Sequence, residues 1–93
     1  MISADGDRLK LEGRVTVATV PELLAEGEKL IAAGACVVDF AGVSDIDSAA
    51  VALALHWQRT ASLNNTRLEL LNLPAAMSNL AILYGVQDLI ASA

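Results

Sequence analysis

The stretch VVDFAGVSDIDSAAVALALHW, residues 37–57, decides the fold of this chain. It opens with a short apolar run, passes through a polar segment rich in Asp, and continues into a segment dominated by Ala and Leu. A continuous apolar run is typical of a central strand covered on both faces, whereas Ala and Leu favour a helix. We therefore predict a strand over residues 35–40, a turn at Gly42 and a helix over residues 48–63.

The residues before this stretch predict a strand and then a helix. Apolar residues occupy the odd positions 9, 11, 15 and 17, with charged or polar residues between them. This alternation predicts a half-buried strand with a hairpin at Gly13, and residues 1–6 are expected to be frayed. Thr19 and Glu22 have the spacing of a capping box, Pro21 lies in the first turn, and Gly34 is placed to end the helix.

The residues after the stretch complete an alternating pattern of strands and helices. Asn64 and Asn65 end the second helix, and residues 66–71 predict a strand. Pro74 opens a third helix whose apolar face includes Met77 and Tyr84, and residues 86–90 predict a last short strand or a frayed turn. The alternation predicts one α/β domain over residues 1–93. Its sheet should be mixed and mostly parallel, with four to five strands and helices packed against it.

Composition favours a binding module over an enzyme. The chain has 93 residues, of which 55% are apolar, and its 6 basic and 11 acidic residues give a formal net charge of −5. The apolar content excludes a disordered chain. Nucleic acid is not an expected partner, because phosphate contacts require clustered Lys and Arg. With a single His and a single Cys, we expect no catalytic residues, no metal and no cofactor.

The cysteine count and the apolar runs indicate the cellular compartment. One cysteine cannot form an internal disulfide bond. The longest uncharged apolar run, residues 49–55, is too short to cross a bilayer, and the first residues lack a signal-peptide pattern. We therefore expect a reduced, aqueous compartment, most simply the cytoplasm, with no direct membrane insertion.

The start of the second helix carries the candidate functional residues. Asp47 or Ser48 is placed to cap the helix, and small residues follow the cap, so that another protein can approach the backbone closely. At 100° per residue, Ser48, Ala49, Ala52, His56 and Arg59 lie within about a third of the helix circumference. This combination suits protein docking better than catalysis. The docking face, as we name it, consists of Asp47, Ser48, Ala49, Ala52, His56 and Arg59.

Other residues of this region have simpler interpretations. Ala50 and Ala54 are expected to pack against the sheet. Asp45 and Asp47 make a poor cation site because further oxygen ligands are lacking, and roles in a turn and a cap are favoured. Cys36 is predicted to be a small buried apolar residue with an inert thiol. For Trp57, a place in the core and a place in an interface both remain open.

The segment Asp45-Ile46-Asp47-Ser48 follows a Val-Val-Asp-Phe strand and precedes a helix rich in small residues. It resembles the signature of STAS domains, and the resemblance covers nearly the whole chain. Within that family, three further stretches resemble the MlaB group, which comprises the small STAS subunits of Mla phospholipid-transport ABC complexes in Gram-negative bacteria. These stretches are LALHWQR at 53–59, LLNLP at 70–74 and LYGV at 83–86.

The resemblance implies a non-catalytic regulatory and assembly subunit that binds the cytoplasmic ATPase of such a complex through the start of the second helix. The complex maintains lipid asymmetry of the outer membrane, and the subunit would associate peripherally with the inner membrane. The alternative is an anti-sigma-factor antagonist that a partner kinase switches by phosphorylating Ser48. Those antagonists usually carry Asp-Ser-Ser/Thr-Gly-Leu-Gly. Residues 47–52 read Asp-Ser-Ala-Ala-Val-Ala instead, which weakens the phosphorylation hypothesis and leaves a docking helix intact.

Overall fold

The computed structural model describes residues 1–90, which form a four-stranded sheet and four helices. In chain order the elements are β1 (Ile2–Asp5), β2 (Arg8–Val15), α1 (Val20–Ala32), β3 (Val37–Ile46), α2 (Ser48–Leu63), β4 (Glu69–Leu71), α3 (Ala75–Leu83) and α4 (Gln87–Ile90). The strand order is β1-β2-β3-β4, with β1 antiparallel to β2 and the other pairs parallel. The predicted α/β class with a mixed, mostly parallel sheet is confirmed.

A single apolar core joins one face of the sheet to the helices. The sheet contributes Leu9, Leu11, Val15, Val38, Phe40 and Leu70, and the helices contribute Leu23, Ile31, Leu53, Trp57, Met77 and Ile90. Val37 and Asp39 on the opposite face of β3 are only half-buried. The prediction that this strand is covered on both faces is therefore wrong. None of the helices formed by residues 1–90 has the length and apolar character that crossing a bilayer requires.

The N-terminal residues are ordered into the sheet, which corrects two predictions. Residues 2–5, expected to be frayed, pair with β2 from Ile2 opposite Leu11 to Asp5 opposite Arg8. The hairpin turn lies at Gly6, whose φ is +65°, instead of at Gly13. Gly13, with φ of +81°, lies within β2 beside a shift in register against β3.

Helix α1 ends as predicted but begins differently. At its C-terminus the N–H of Gly34 donates to Ile31 and that of Ala35 donates to Leu30, the bonding pattern of a Schellman motif with a left-handed glycine. At its N-terminus the Thr19 side chain does not cap the helix. Its hydroxyl accepts from the N–H of Thr16 and donates to the carbonyl of Arg14. The capping box is therefore absent, because this hydroxyl is occupied by the loop before the helix.

Strand β3 continues through the predicted turn at Gly42 and ends at Ile46. Its register against β2 shifts between Lys10 and Glu12 and again between Gly13 and Arg14, so bulges absorb the extra residues. Gly42 is needed there for a close approach of two backbones. A Cβ atom at Gly42 would lie 2.9 Å from the carbonyl oxygen of Leu11.

The C-terminal third differs from the prediction in detail. Pro74 precedes α3 and Gly85 follows it with φ of +70°, as expected. Strand β4 is shorter than the predicted strand over residues 66–71. Residues 87–90, predicted as a strand or a frayed turn, form α4, whose Ile90 is buried in the core. Tyr84 is exposed, and Met77 and Ala81 are the buried residues of α3.

A polar cluster lies on the open face of the sheet around Asp39. Its carboxylate accepts from the side-chain amide of Asn72 and from the N–H of Ala41, each at 2.9 Å, and Arg8 lies 3.8 Å away. The hydrogen bond from Asn72, the bond from Ala41 and the nearby positive charges lower the pKa of Asp39 against an opposing contribution from burial. The ionised carboxylate is therefore the stabilised form.

We expect Asn72→Gly to raise the pKa of Asp39 toward its ordinary value of 3.8. The substitution removes the amide donor, and glycine tolerates the φ of +58° found at Asn72. A lowered carboxyl pKa stabilises the folded state above the unfolded-state pKa, and the contribution is lost as pH falls through the folded-state pKa. The variant should therefore be less stable than the wild type at neutral pH. Its free energy of unfolding should also fall less steeply as pH drops below the ordinary carboxyl pKa.

An NMR titration of the Asp39 carboxyl carbon measures this shift, and urea unfolding at several pH values measures its effect on stability. Asn65→Gly is the matched control, because Asn65 has the same φ of +58° and is not among the groups that shift the pKa of Asp39. An Asp39 pKa that moves equally in both variants would contradict the role of the Asn72 amide.

Candidate functional site

Asp47 joins two elements at the start of α2. Its Oδ1 accepts from the N–H of Ala49 at 2.8 Å, and its Oδ2 accepts from the N–H of Val17 at 2.9 Å. Asp47 is the N-cap, and Ser48 is the first residue of the helix. The carboxylate therefore satisfies a free N–H at the helix N-terminus and holds the β2–α1 loop against it.

The structure places the remaining docking-face residues along the outer side of α2. Ser48, Ala52, His56 and Arg59 are exposed, and Ala49 is half-buried. Ala50 and Ala54 are fully buried, in agreement with their predicted packing against the sheet. Because Ser48 and Ala52 are exposed and have small side chains, a partner can approach the helix axis closely here.

The two basic side chains of the docking face have different surroundings. His56 contacts Glu28 of α1, and the two side chains are 42% and 41% exposed. This contact becomes an ion pair when the imidazole is protonated. Arg59 makes no ion pair with the residues described, 1–90, whereas Arg14 pairs with Asp45.

Val17 also borders the docking face, and the sequence pattern misplaced it. Its odd position predicted a buried strand residue, but β2 ends at Val15 and the Val17 side chain is 73% exposed. Its backbone N–H is the one held by Asp47. Pro21 could have indicated that Val17 lies outside the strand. A proline favours the first turn of a helix, and a helix that begins at Val20 leaves residues 16–19 to form a loop.

Asp47 acts as a cap, as predicted, whereas Asp45 lies in strand β3 opposite Arg14, so the predicted turn role of Asp45 is wrong. Both oxygens of Asp47 accept backbone N–H groups, and Asp45 lies 3.7 Å from the guanidinium of Arg14. Among residues 1–90 no group of three or more His, Cys, Asp or Glu side chains is arranged to hold a metal ion. These carboxylates therefore contribute to the shape of the docking face.

The family model described as "Mlab, STAS domain" matches residues 2–91. The chain belongs to the STAS family. The predicted resemblance, including its similarity to the MlaB group, is confirmed. No curated protein matches the sequence in a direct comparison.

Solved structures share the fold of this STAS domain at low sequence identity. The Bacillus cell fate determinant SpoIIAA in its phosphorylated form is 22% identical, with a TM-score of 0.70, over 100% of this chain and 89% of that chain. The anti-sigma factor antagonist SpoIIAA in its unphosphorylated form is 23% identical, with a TM-score of 0.67, over 86% and 78% of the two chains. A third structure, described as Mglu, has a TM-score of 0.59 at 23% identity, over 81% of this chain and 19% of that one.

Trp57 of the STAS domain belongs to the core, which decides between the two interpretations left open. Its side chain is 0% exposed, and its Nε1–H donates to the carbonyl of Leu24 at 3.3 Å. The indole packs against Gly27 of α1, where the absence of a side chain makes room for it. The inner side of α2 is thereby fixed to α1, while the outer side carries the docking face.

Cys36 lies outside the docking face and is half-buried, so the prediction of full burial is wrong. Its Sγ donates to Oδ2 of Asp7 at 3.4 Å. This hydrogen bond, burial, and the negative charges of Asp7 and Glu69 raise the pKa of the thiol. The thiol therefore stays protonated at neutral pH, which disfavours nucleophilic chemistry.

Proposed function

We propose that this STAS domain is a non-catalytic regulatory and assembly subunit of an Mla-type phospholipid-transport ABC complex. It binds the cytoplasmic ATPase of the complex through the docking face, and the ATPase keeps it on the cytoplasmic side of the inner membrane. The observation that carries this proposal is the exposed outer side of α2 with the small residues Ser48 and Ala52, in a chain that matches the MlaB-named STAS model. Lipid contact belongs to other subunits of the complex.

The chemistry around the docking face supports binding instead of catalysis. Asp47 accepts two backbone N–H groups, Asp45 lies beside Arg14, and His56 contacts Glu28. Each of these titratable groups has a partner within the domain, and the hydrogen bonds of residues 1–90 place no nucleophile between a base and an orienting group. The face is therefore suited to recognising the ATPase, whose own residues hydrolyse the nucleotide.

We expect Ala52→Phe to weaken binding to the ATPase by about tenfold or more, because a large side chain separates the two backbones at the centre of the interface. The ATPase subunit of an Mla-type complex from the same host is titrated with the purified domain, and both the affinity and the rate of ATP hydrolysis are measured. Wild-type protein should bind the ATPase and change its rate, and the variant should require a correspondingly higher concentration.

Ala25→Phe is the matched control, since Ala25 is an exposed alanine within α1. It should bind as the wild type does. Equal affinities for wild type and Ala52→Phe would place the interface elsewhere. An ATPase that purifies and hydrolyses ATP equally well without the domain would overturn the proposed function.

A second candidate function is an anti-sigma-factor antagonist switched by phosphorylation of Ser48. Its supporting observation is the exposed position of Ser48 in the first turn of α2, where the helix dipole favours a phosphate. Ala49 and Ala50 replace residues usual in such antagonists. Intact-mass measurement of the protein from its native host decides: a phosphorylated species on Ser48 supports the switch, and its persistent absence opposes it.

A further inference from the structure

A second apolar surface adjoins the docking face at the C-terminal half of α2. Leu55, Leu63 and Leu89 line a groove of about 410 Å³ between α2 and α4, together with Gln58, Arg59 and Ser62. Leu63 and Leu89 are 80% and 61% exposed. Large apolar side chains gathered at one open groove mark an interaction site more often than scattered ones do. We call this surface the α2–α4 groove.

The α2–α4 groove is continuous with the docking face, because Arg59 belongs to both. Ser48 and Ala52 lie at one end of this surface, and Leu63 lies at the other end of the same helix. A protein that contacts the start of α2 and lies along the helix therefore reaches the groove. The groove then supplies the apolar contact area that the small side chains at the start of α2 lack.

Charge indicates the chemistry of the occupant. Helix α2 contains no Asp or Glu, although the chain has a net charge of −5. Arg59 is the charged residue that lines the groove, and it has no ion-pair partner among residues 1–90. An apolar groove beside a guanidinium that has no ion pair within residues 1–90 fits a segment with leucine-like side chains and a carboxylate. A second copy of this chain fits poorly, since two-fold symmetry at the groove would bring two Arg59 side chains together.

We propose that the α2–α4 groove extends the ATPase-binding surface and takes an amphipathic, acidic segment of the ATPase. Leucine-like side chains of the segment contact Leu63 and Leu89, and one of its carboxylates pairs with Arg59. The proposal rests on the proposed function, since it names the second half of the same interface. It assigns the apolar contact to the groove, and close backbone contact to the start of α2.

The test compares Leu63→Glu and Leu89→Glu with Leu83→Glu in binding to the purified ATPase. Leu83, on α3, is 75% exposed and does not line the groove, so Leu83→Glu is a matched control for an added surface charge. We expect the two groove variants to bind about tenfold more weakly than wild type, and the control to bind as wild type. Circular dichroism and thermal unfolding establish that all three variants fold.

A second arm tests the carboxylate. Affinity of the wild type should fall as salt is raised, and Arg59→Gln should bind more weakly with a smaller dependence on salt. An unchanged salt dependence in Arg59→Gln would overturn the charge pairing.

The outcomes separate this proposal from the one it rests on. If Ala52→Phe weakens binding while the groove variants behave like Leu83→Glu, the groove proposal fails and the proposed function stands. If wild type does not bind the ATPase, the proposed function fails as well. If sedimentation shows a dimer of the free chain that Leu63→Glu dissociates, the groove belongs to a second copy and the proposal is overturned.

Discussion

Replacing Gly27 with alanine is expected to lower the free energy of unfolding by about 2 kcal/mol, because the added methyl group overpacks the contact between α1 and α2. A Cβ atom at this position would lie 2.1 Å from the indole ring of Trp57. The ring is fully buried and donates a hydrogen bond to Leu24, so it cannot turn aside freely. Alanine is favoured over glycine in a helix by about 1 kcal/mol, which offsets only part of the clash.

Urea unfolding measures this change, and two further variants identify its cause. Ala25→Gly reports helix propensity at an exposed site of the same helix and should cost about 1 kcal/mol. Trp57→Leu destabilises the protein by removing buried surface, but it also vacates space beside Gly27. Gly27→Ala should therefore cost less in the Trp57→Leu background than in the wild type. Equal costs in the two backgrounds would show that the indole is not what opposes the methyl group.

Replacing Asp47 with alanine is expected to cost about 2 kcal/mol, since the substitution removes the cap of α2 and the bond to the N–H of Val17. The effect reaches beyond stability. Without the carboxylate, the β2–α1 loop loses its attachment to the helix, and Val17 loses its fixed position beside the docking face. Binding to the ATPase should weaken as a consequence, to a greater extent than the loss of stability alone explains.

Asp45→Ala is the matched control, because Asp45 is an exposed neighbour whose ion pair with Arg14 is worth less than about 1 kcal/mol. Hydrogen exchange at the Val17 amide separates the two variants: protection should be lost in Asp47→Ala and retained in Asp45→Ala. Asp47→Asn keeps one acceptor oxygen and should lie between wild type and the alanine variant. A Val17 amide that exchanges equally in all of them would contradict the bond to Asp47.

Local chemistry made the helices easier to predict than the strands. The extent of α2 follows from a run of Ala and Leu between the capping residue Asp47 and the asparagines at 64 and 65. The end of α1 follows from Gly34. The length of β3 could not be predicted in the same way, because its bulges depend on how two strands of different length share hydrogen bonds. The sequence of residues 40–46 alone does not show that this segment pairs with β2.

The candidate site also has a part that local sequence predicts and a part that depends on the folded chain. The 100° spacing correctly placed Ser48, Ala52, His56 and Arg59 on one exposed side of α2. Whether that side binds a partner stays a prediction. The sequence analysis did not connect Val17 or Leu89 with α2, since they reach that helix from other parts of the chain and only folding brings them there.

The position of the single tryptophan gives the domain an internal optical probe. Trp57 lies on the back of the helix whose front carries the docking face, shielded from water by α1. A partner on the front of α2 therefore leaves the indole in its apolar surroundings, whereas separation of α1 from α2 exposes it. Its fluorescence emission spectrum therefore distinguishes a domain that has bound a partner from one in which α1 has separated from α2. No label on the docking face is needed.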